Sequence, residues 1–157
     1  MTSDIYTNVP IDTERQEIRL VQLLPGHDDE QLQCSFHRHV LGCPDVEYSA
    51  LSYTWGDSKS PTYTILIDGD SFDIHQNLWH FLKRQRENDE FGLIWIDAIS
   101  IDQLNTSERN HQVSLMRDIY LQVSVFVDRD LLMLTTLGLS SIHLAWCCCR
   151  RKRSCHR

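Results

Sequence analysis

The sequence predicts an α/β fold, a mixed and partly parallel sheet flanked by helices. Three observations carry that expectation. Short apolar runs, alternating or continuous and separated by turn residues, fill the first half of the chain. A run without polar alternation, Leu93-Ile94-Trp95-Ile96, has the character of a central strand covered on both faces. Between it and the apolar stretch 123–127 stands a helical pattern, and strand, helix, strand in that order is a βαβ unit, which makes its strands parallel. At 157 residues, 41% hydrophobic and 24% charged, the chain fits one soluble domain whose core needs no disulfide staples.

The elements follow in order. Residues 1–16 are polar and aperiodic and read as a leader that is loose or lies on the surface, so the domain is expected over 17–127 and a divergent tail over 128–157. Ile18, Leu20, Gln22 and Leu24 form a short apolar run that Pro25-Gly26 ends, and Leu32, Cys34 and Phe36 alternate with polar neighbours. Two half-buried strands therefore flank a turn over 25–30. Residues 37–47, with Gly42, Pro44 and Asp45, read as a loop, and 48–53 is β-leaning up to Trp55-Gly56-Asp57. Asp68-Gly69-Asp70 between two β-leaning runs is a hairpin signal. From Asn77 to about Arg86, Leu78, Phe81 and Leu82 share a face, with Lys83, Arg84 and Arg86 outside, which predicts an amphipathic helix. Asn105 stands three residues before Glu108, the spacing of a capping box, and Val113, Met116, Ile119 and Tyr120 follow at helical spacing. There is no internal repeat.

Charge narrows the partners. All 22 acidic residues lie at or before Asp130, so residues 1–149, with ten basic side chains, carry a net −12. A body that acidic is repelled by phosphate backbones, which excludes nucleic acid as the expected partner. Of six cysteines, Cys147, Cys148, Cys149 and Cys155 crowd the tail and only Cys34 and Cys43 precede them, a pattern that makes neither a zinc site nor a disulfide framework. No metal is expected, and a reducing cytoplasm is the simplest compartment.

Parallel sheets bind ligands beyond the carboxyl ends of their strands. Asp97, Ser100, Asp102 and Gln103 should lie there, close to the start of the helix that Asn105 caps. Asp97 and Asp102 could share a cation or do acid and base work, and the helix start could hold an anion; the plainer alternative is that Asp97 caps a strand end and Asp102 orders a turn. Glu108 is either a capping-box carboxylate or the acid or base of a cleft, with capping the stronger reading. Trp55-Gly56-Asp57 offers a stacking platform for a base or sugar, or else Trp55 packs on the sheet edge. Trp79 and Trp95 are core candidates. No Gly-x-Ser-x-Gly elbow, Gly-x-Gly-x-x-Gly fingerprint or P-loop occurs, so Ser52, Ser100 and His111 form no recognisable nucleophile site and dinucleotide-fold chemistry has no motif.

Three longer segments go further. Tyr48-Ser-Ala-Leu-Ser-Tyr-Thr-Trp-Gly-Asp57, Trp95-Ile-Asp-Ala-Ile-Ser-Ile-Asp-Gln103, and Glu108-Arg109 with Gln112-Val113, Met116 and Ile119-Tyr120 resemble the heterokaryon incompatibility (HET) domain of filamentous fungi, in order and spacing. The resemblance covers about residues 16–127. It implies a fungal effector of non-self recognition that triggers cell death through assembly with itself or with protein partners. It also implies a distant likeness to TIR domains, which are flavodoxin-like modules that in some cases cleave NAD. That analogy offers NAD as a substrate and Glu108 or Asp97 as acid or base, and no cofactor is firmly implied. The motif positions here are Tyr53, Trp55, Gly56, Asp57, Trp95, Asp97, Ser100, Asp102, Gln103, Glu108, Arg109 and Gln112. Ser100 stands where the family usually has Cys, which argues against thiol chemistry at that point.

The pattern is lost after residue 127. The family continues into a Val-x-Val-Trp-Leu-Gly strand, whereas this chain runs into Asp128-Arg129-Asp130, then an apolar stretch over 131–149 and the cluster Arg150-Arg151-Lys152-Arg153. A truncated or altered product, with an incomplete sheet and no activity as one outcome, is the first reading of that tail. A buried or partner-bound helix is the second. A membrane anchor is the third, because its positive flank follows the apolar stretch instead of preceding it.

Overall fold

The computed structural model describes residues 5–53 and 61–127. The chain runs α1 (Ile5–Asn8), β1 (Glu17–Leu23), β2 (Gln33–Val40), β3 (Ser49–Ser52), β4 (Thr62–Ile67), β5 (Asp70–His75), α2 (Gln76–Glu87), β6 (Leu93–Ile96), α3 (Asp97–Ser100), α4 (Thr106–Leu121) and β7 (Ser124–Val127). The strands form one sheet of seven in the order β5-β4-β2-β1-β6-β3-β7. β1 pairs antiparallel with both β2 and β6, and β4 with β5. β3 lies parallel between β6 and β7, and β2 pairs parallel with β4 at one end. The sheet is thus mixed and partly parallel, with α4 as the crossover between β6 and β7.

Alternation along the strands splits the core into two layers. On one face Val21, Leu23, Leu51, Ile65, Ile67, Ile94 and Ile96 pack with Leu78, Phe81 and Leu82 of α2. On the other, Ile18, Leu20, Ala50 and Trp95 pack with Ile101 and with Leu115 and Ile119 of α4. β6 is covered on both sides, as its unbroken apolar run requires. β1 is buried on both faces as well, where a half-buried strand was expected, because it is an interior strand between β2 and β6.

Two further expectations are corrected. Within the stretch read as loose or lying on the surface, residues 5–9 are packed: Ile5 is 2% exposed and joins the α2-side core, and Tyr6 and Val9 pack against it. The loop expected from residue 37 starts later, since β2 runs on to Val40 by pairing with β1 down to Glu17. The hairpin forms as read, Asp68 (φ 51°) and Gly69 (φ 90°) both taking the left-handed conformation that a tight type I′ turn needs. The platform Trp55-Gly56-Asp57 and the tail from residue 128 lie outside the described residues. Among the described residues no helix is long and apolar enough to cross a membrane.

Candidate functional site

The chain turns sharply at the carboxyl end of β6. Asp97 opens α3 and its Oδ1 accepts the Ala98 N–H at 2.7 Å. Ser100, fully buried, returns its hydroxyl oxygen to the Ile96 N–H at 3.1 Å, which closes that turn. Gln103 Nε2 donates to the Asp97 carbonyl at 3.1 Å. Asp102 Oδ1 accepts from the Leu104 N–H at 3.0 Å and the Asn105 N–H at 3.3 Å, an Asx-type turn that leads into α4. Asn105 then caps α4, its side chain accepting the Glu108 N–H at 3.1 Å.

Half of the expected capping box forms. Glu108 does not reach back to its own cap; its Oε1 takes the Asp102 N–H at 2.9 Å, and the carboxylate is gripped by Arg19 of β1 through Nη1 to Oε1 at 2.5 Å and Nη2 to Oε2 at 3.1 Å. The pair is buried, with side chains 1% and 9% exposed. Arg19 spends its other donors on the carbonyls of Val9 (2.6 Å), Ser100 (3.3 Å) and Tyr6 (3.5 Å), and its guanidinium lies 4.9 Å over the Tyr6 ring. Both Glu108 oxygens are therefore committed inside the protein. Arg19 carries no motif; the one sign of it in the sequence is a lone cation inside the run Ile18-Arg19-Leu20-Val21.

The remaining candidates divide by exposure. Trp95 is fully buried and meets Tyr120 edge-on at 5.6 Å, and Gln112, equally buried, donates Nε2 to the Glu17 carbonyl at 2.9 Å. These two, with Ser100 and Glu108, hold the corner from inside. Asp97, Asp102 and Gln103 are half-buried and Arg109 is exposed, with Nη1 of Arg109 donating to the Gln103 carbonyl at 3.5 Å. Tyr53, just past β3, is half-buried, and its phenol is pushed well above its ordinary range, first by burial and then by the charge of Asp97. The same two causes, in the same order, push the Tyr120 phenol up to about 12. Asp97 thus lies electrostatically between a tyrosine after β3 and a tyrosine of α4 that sequence reasoning did not place at the site.

At the start of α4, Asp102 takes the amides of Leu104 and Asn105 just before the helix and the Asn105 side chain takes that of Glu108 inside it. Among the described residues no group of three or more His, Cys, Asp or Glu side chains is placed to hold a metal ion.

These features define a class: a mixed α/β domain whose motif residues gather at the carboxyl ends of adjacent parallel strands and at the corner beyond them. The family model for the heterokaryon incompatibility protein (HET) matches residues 48–128, and the chain belongs to that family. It is 34% identical over 130 residues to "Heterokaryon incompatibility protein 6, OR allele" of Neurospora crassa, a match that covers 73% of this chain and 19% of that protein. The chain thus spans about a fifth of the length of the curated relative it matches. No solved structure matches.

Proposed function

We propose that this chain carries the effector module of a fungal non-self-recognition system, a cytoplasmic domain that triggers cell death by assembling with itself or with a protein partner. The observation that carries the reading is the HET match, running through all three ordered motifs. The acidic surface, which repels nucleic acid, supports a protein partner. Inducing the chain in fungal cells tests the proposal: growth should arrest, and the purified protein should sediment faster as its concentration rises. Harmless expression together with a strictly monomeric protein would overturn it.

A second reading, a TIR-like enzyme that cleaves a nucleotide such as NAD, has one specific observation in its favour. β3 and β6 are adjacent and parallel, so their carboxyl ends lie side by side on one edge of the sheet. Open α/β sheets bind ligands beyond the carboxyl ends of parallel strands, and Tyr53 and Asp97 stand at these two ends. In this reading Asp97 is the acid or base, since Glu108 is already held by Arg19. What the sheet lends this reading is only that it is mixed and partly parallel. Loss of NAD on incubation with wild type but not with Asp97→Asn would favour the enzyme; equal loss with both would remove Asp97 from that role.

A further inference from the structure

Arg19 makes contacts that reach well beyond its own strand. A guanidinium has five N–H donors in a fixed plane. Here each has one acceptor: Nε the Val9 carbonyl, Nη1 the Ser100 carbonyl and Glu108 Oε1, Nη2 the Tyr6 carbonyl and Glu108 Oε2. Two of these acceptors belong to the segment 5–9 and three to the α3–α4 corner. The segment is seated by more than Arg19. Tyr6 packs on Phe36 at 6.0 Å and edge-on to Phe72 at 6.4 Å, and its hydroxyl donates to the Ile99 carbonyl of α3 at 3.1 Å.

From this geometry we propose that Arg19 is a positioning residue for the motif corner and that the segment 5–9 is a strap whose seating sets it. The connection runs through named bonds. Val9 and Tyr6 fix the plane of the guanidinium; the plane fixes the fork on Glu108 and the contact to Ser100; Glu108 holds the Asp102 amide; and the Asp102 carboxylate holds the amides of Leu104 and Asn105. When the strap leaves, two of the five donors lose their acceptors in a buried setting, and the guanidinium turns toward replacements at the cost of its fork. Both strap and Arg19 precede residue 48, where the family match begins, so the corner depends on chain outside the matched segment. The inference rests on reading that corner as the working edge, but its test does not use activity, so it can fail or stand independently of the proposed function.

The test is native-state hydrogen exchange on the full chain, comparing wild type, Tyr6→Ala, Arg19→Lys and Trp79→Ala. Trp79 packs against the same core from α2, so its variant reports what plain loss of packing does. Tyr6→Ala should speed exchange of the Asp102, Leu104 and Asn105 amides at least about tenfold while the amides of the last two turns of α4, which pack in the other core layer, keep their wild-type rates, a local opening with a local cause. Arg19→Lys keeps the charge but cannot supply five donors in a plane, and should loosen the corner and the segment 5–9 together. Trp79→Ala should leave the corner amides unchanged relative to the same α4 amides. Release of the segment in Tyr6→Ala with wild-type exchange at 102–105 would overturn the proposal, as would an Arg19→Lys corner as protected as wild type. If Tyr6→Ala does not fold, Tyr6→Phe, which removes only the bond to Ile99, is read by the same criterion with a smaller expected acceleration.

Discussion

Arg19 and Glu108 form a fully satisfied buried ion pair, and the physics of such pairs is asymmetric: the intact pair adds little, whereas removal of one partner strands a charge. Glu108→Gln should therefore destabilise the protein by about 3–5 kcal/mol in a denaturant titration. Replacing Arg19 as well, in Arg19→Met with Glu108→Gln, should recover part of that loss, because no charge then remains buried. Additive losses would show that the two side chains do not act as a pair. The pair also marks where the sequence was opaque. Its members are 89 positions apart, and periodicity reads a cation within a strand as facing solvent. Asp97, Asp102 and Asn105 were legible because their partners are local: a turn and a cap depend on neighbours one to three residues away.

At the scale of elements, the β4–β5 hairpin, α2, β6 and the cap of α4 follow from patterns confined to a dozen residues. α1 was missed because four residues are too few to show a period, and what orders them is the Tyr6 contact with Phe36, Phe72 and Ile99. The far half of β2 was missed because His37 and Arg38 look like loop residues, although antiparallel pairing with β1 continues through both. The placement of β3 between β6 and β7 was hidden too, since parallel partners are distant in sequence and no turn announces them. The hairpin gives a sharp test of local chemistry. Gly69 has open space around its missing Cβ but a φ of 90°, whereas Gly92 is equally open without a left-handed φ. Gly69→Ala should cost about 1 kcal/mol, and Gly92→Ala should be neutral or stabilising by about 0.5 kcal/mol, both read from thermal unfolding. Equal effects at the two sites would contradict the assigned turn.

For the whole molecule, burial sets the pH range of stability. Burial and then the charge of Asp68 push the Cys34 thiol up to about 12 from 9.0, and burial alone pushes the Tyr48 phenol up to about 12 from 10.0. A raised pKa in the folded state contributes stability that is present below the unfolded value and lost as pH rises toward the folded one, so stability should fall between about pH 9 and 12. On the acid side burial lowers the pKa of His39, partly opposed by Asp45. Its contribution is present above the ordinary value of 6.5 and lost as pH falls below it. Urea midpoints measured from pH 5 to 11 should therefore trace a plateau bounded near these limits. A midpoint that keeps rising above pH 9 would contradict the burial of these groups. The corner is held from inside by Arg19 and Glu108, with Asp97, Asp102 and Gln103 half-buried at its rim, and we propose that the effector role uses it. The most direct measurement is induced expression in fungal cells of wild type and Asp97→Asn, at equal protein level and with thermal unfolding of both recorded. The account predicts growth arrest by wild type and normal growth with Asp97→Asn at a similar melting temperature. Arrest by both alike would remove Asp97 from that role, and normal growth with wild type would contradict the account.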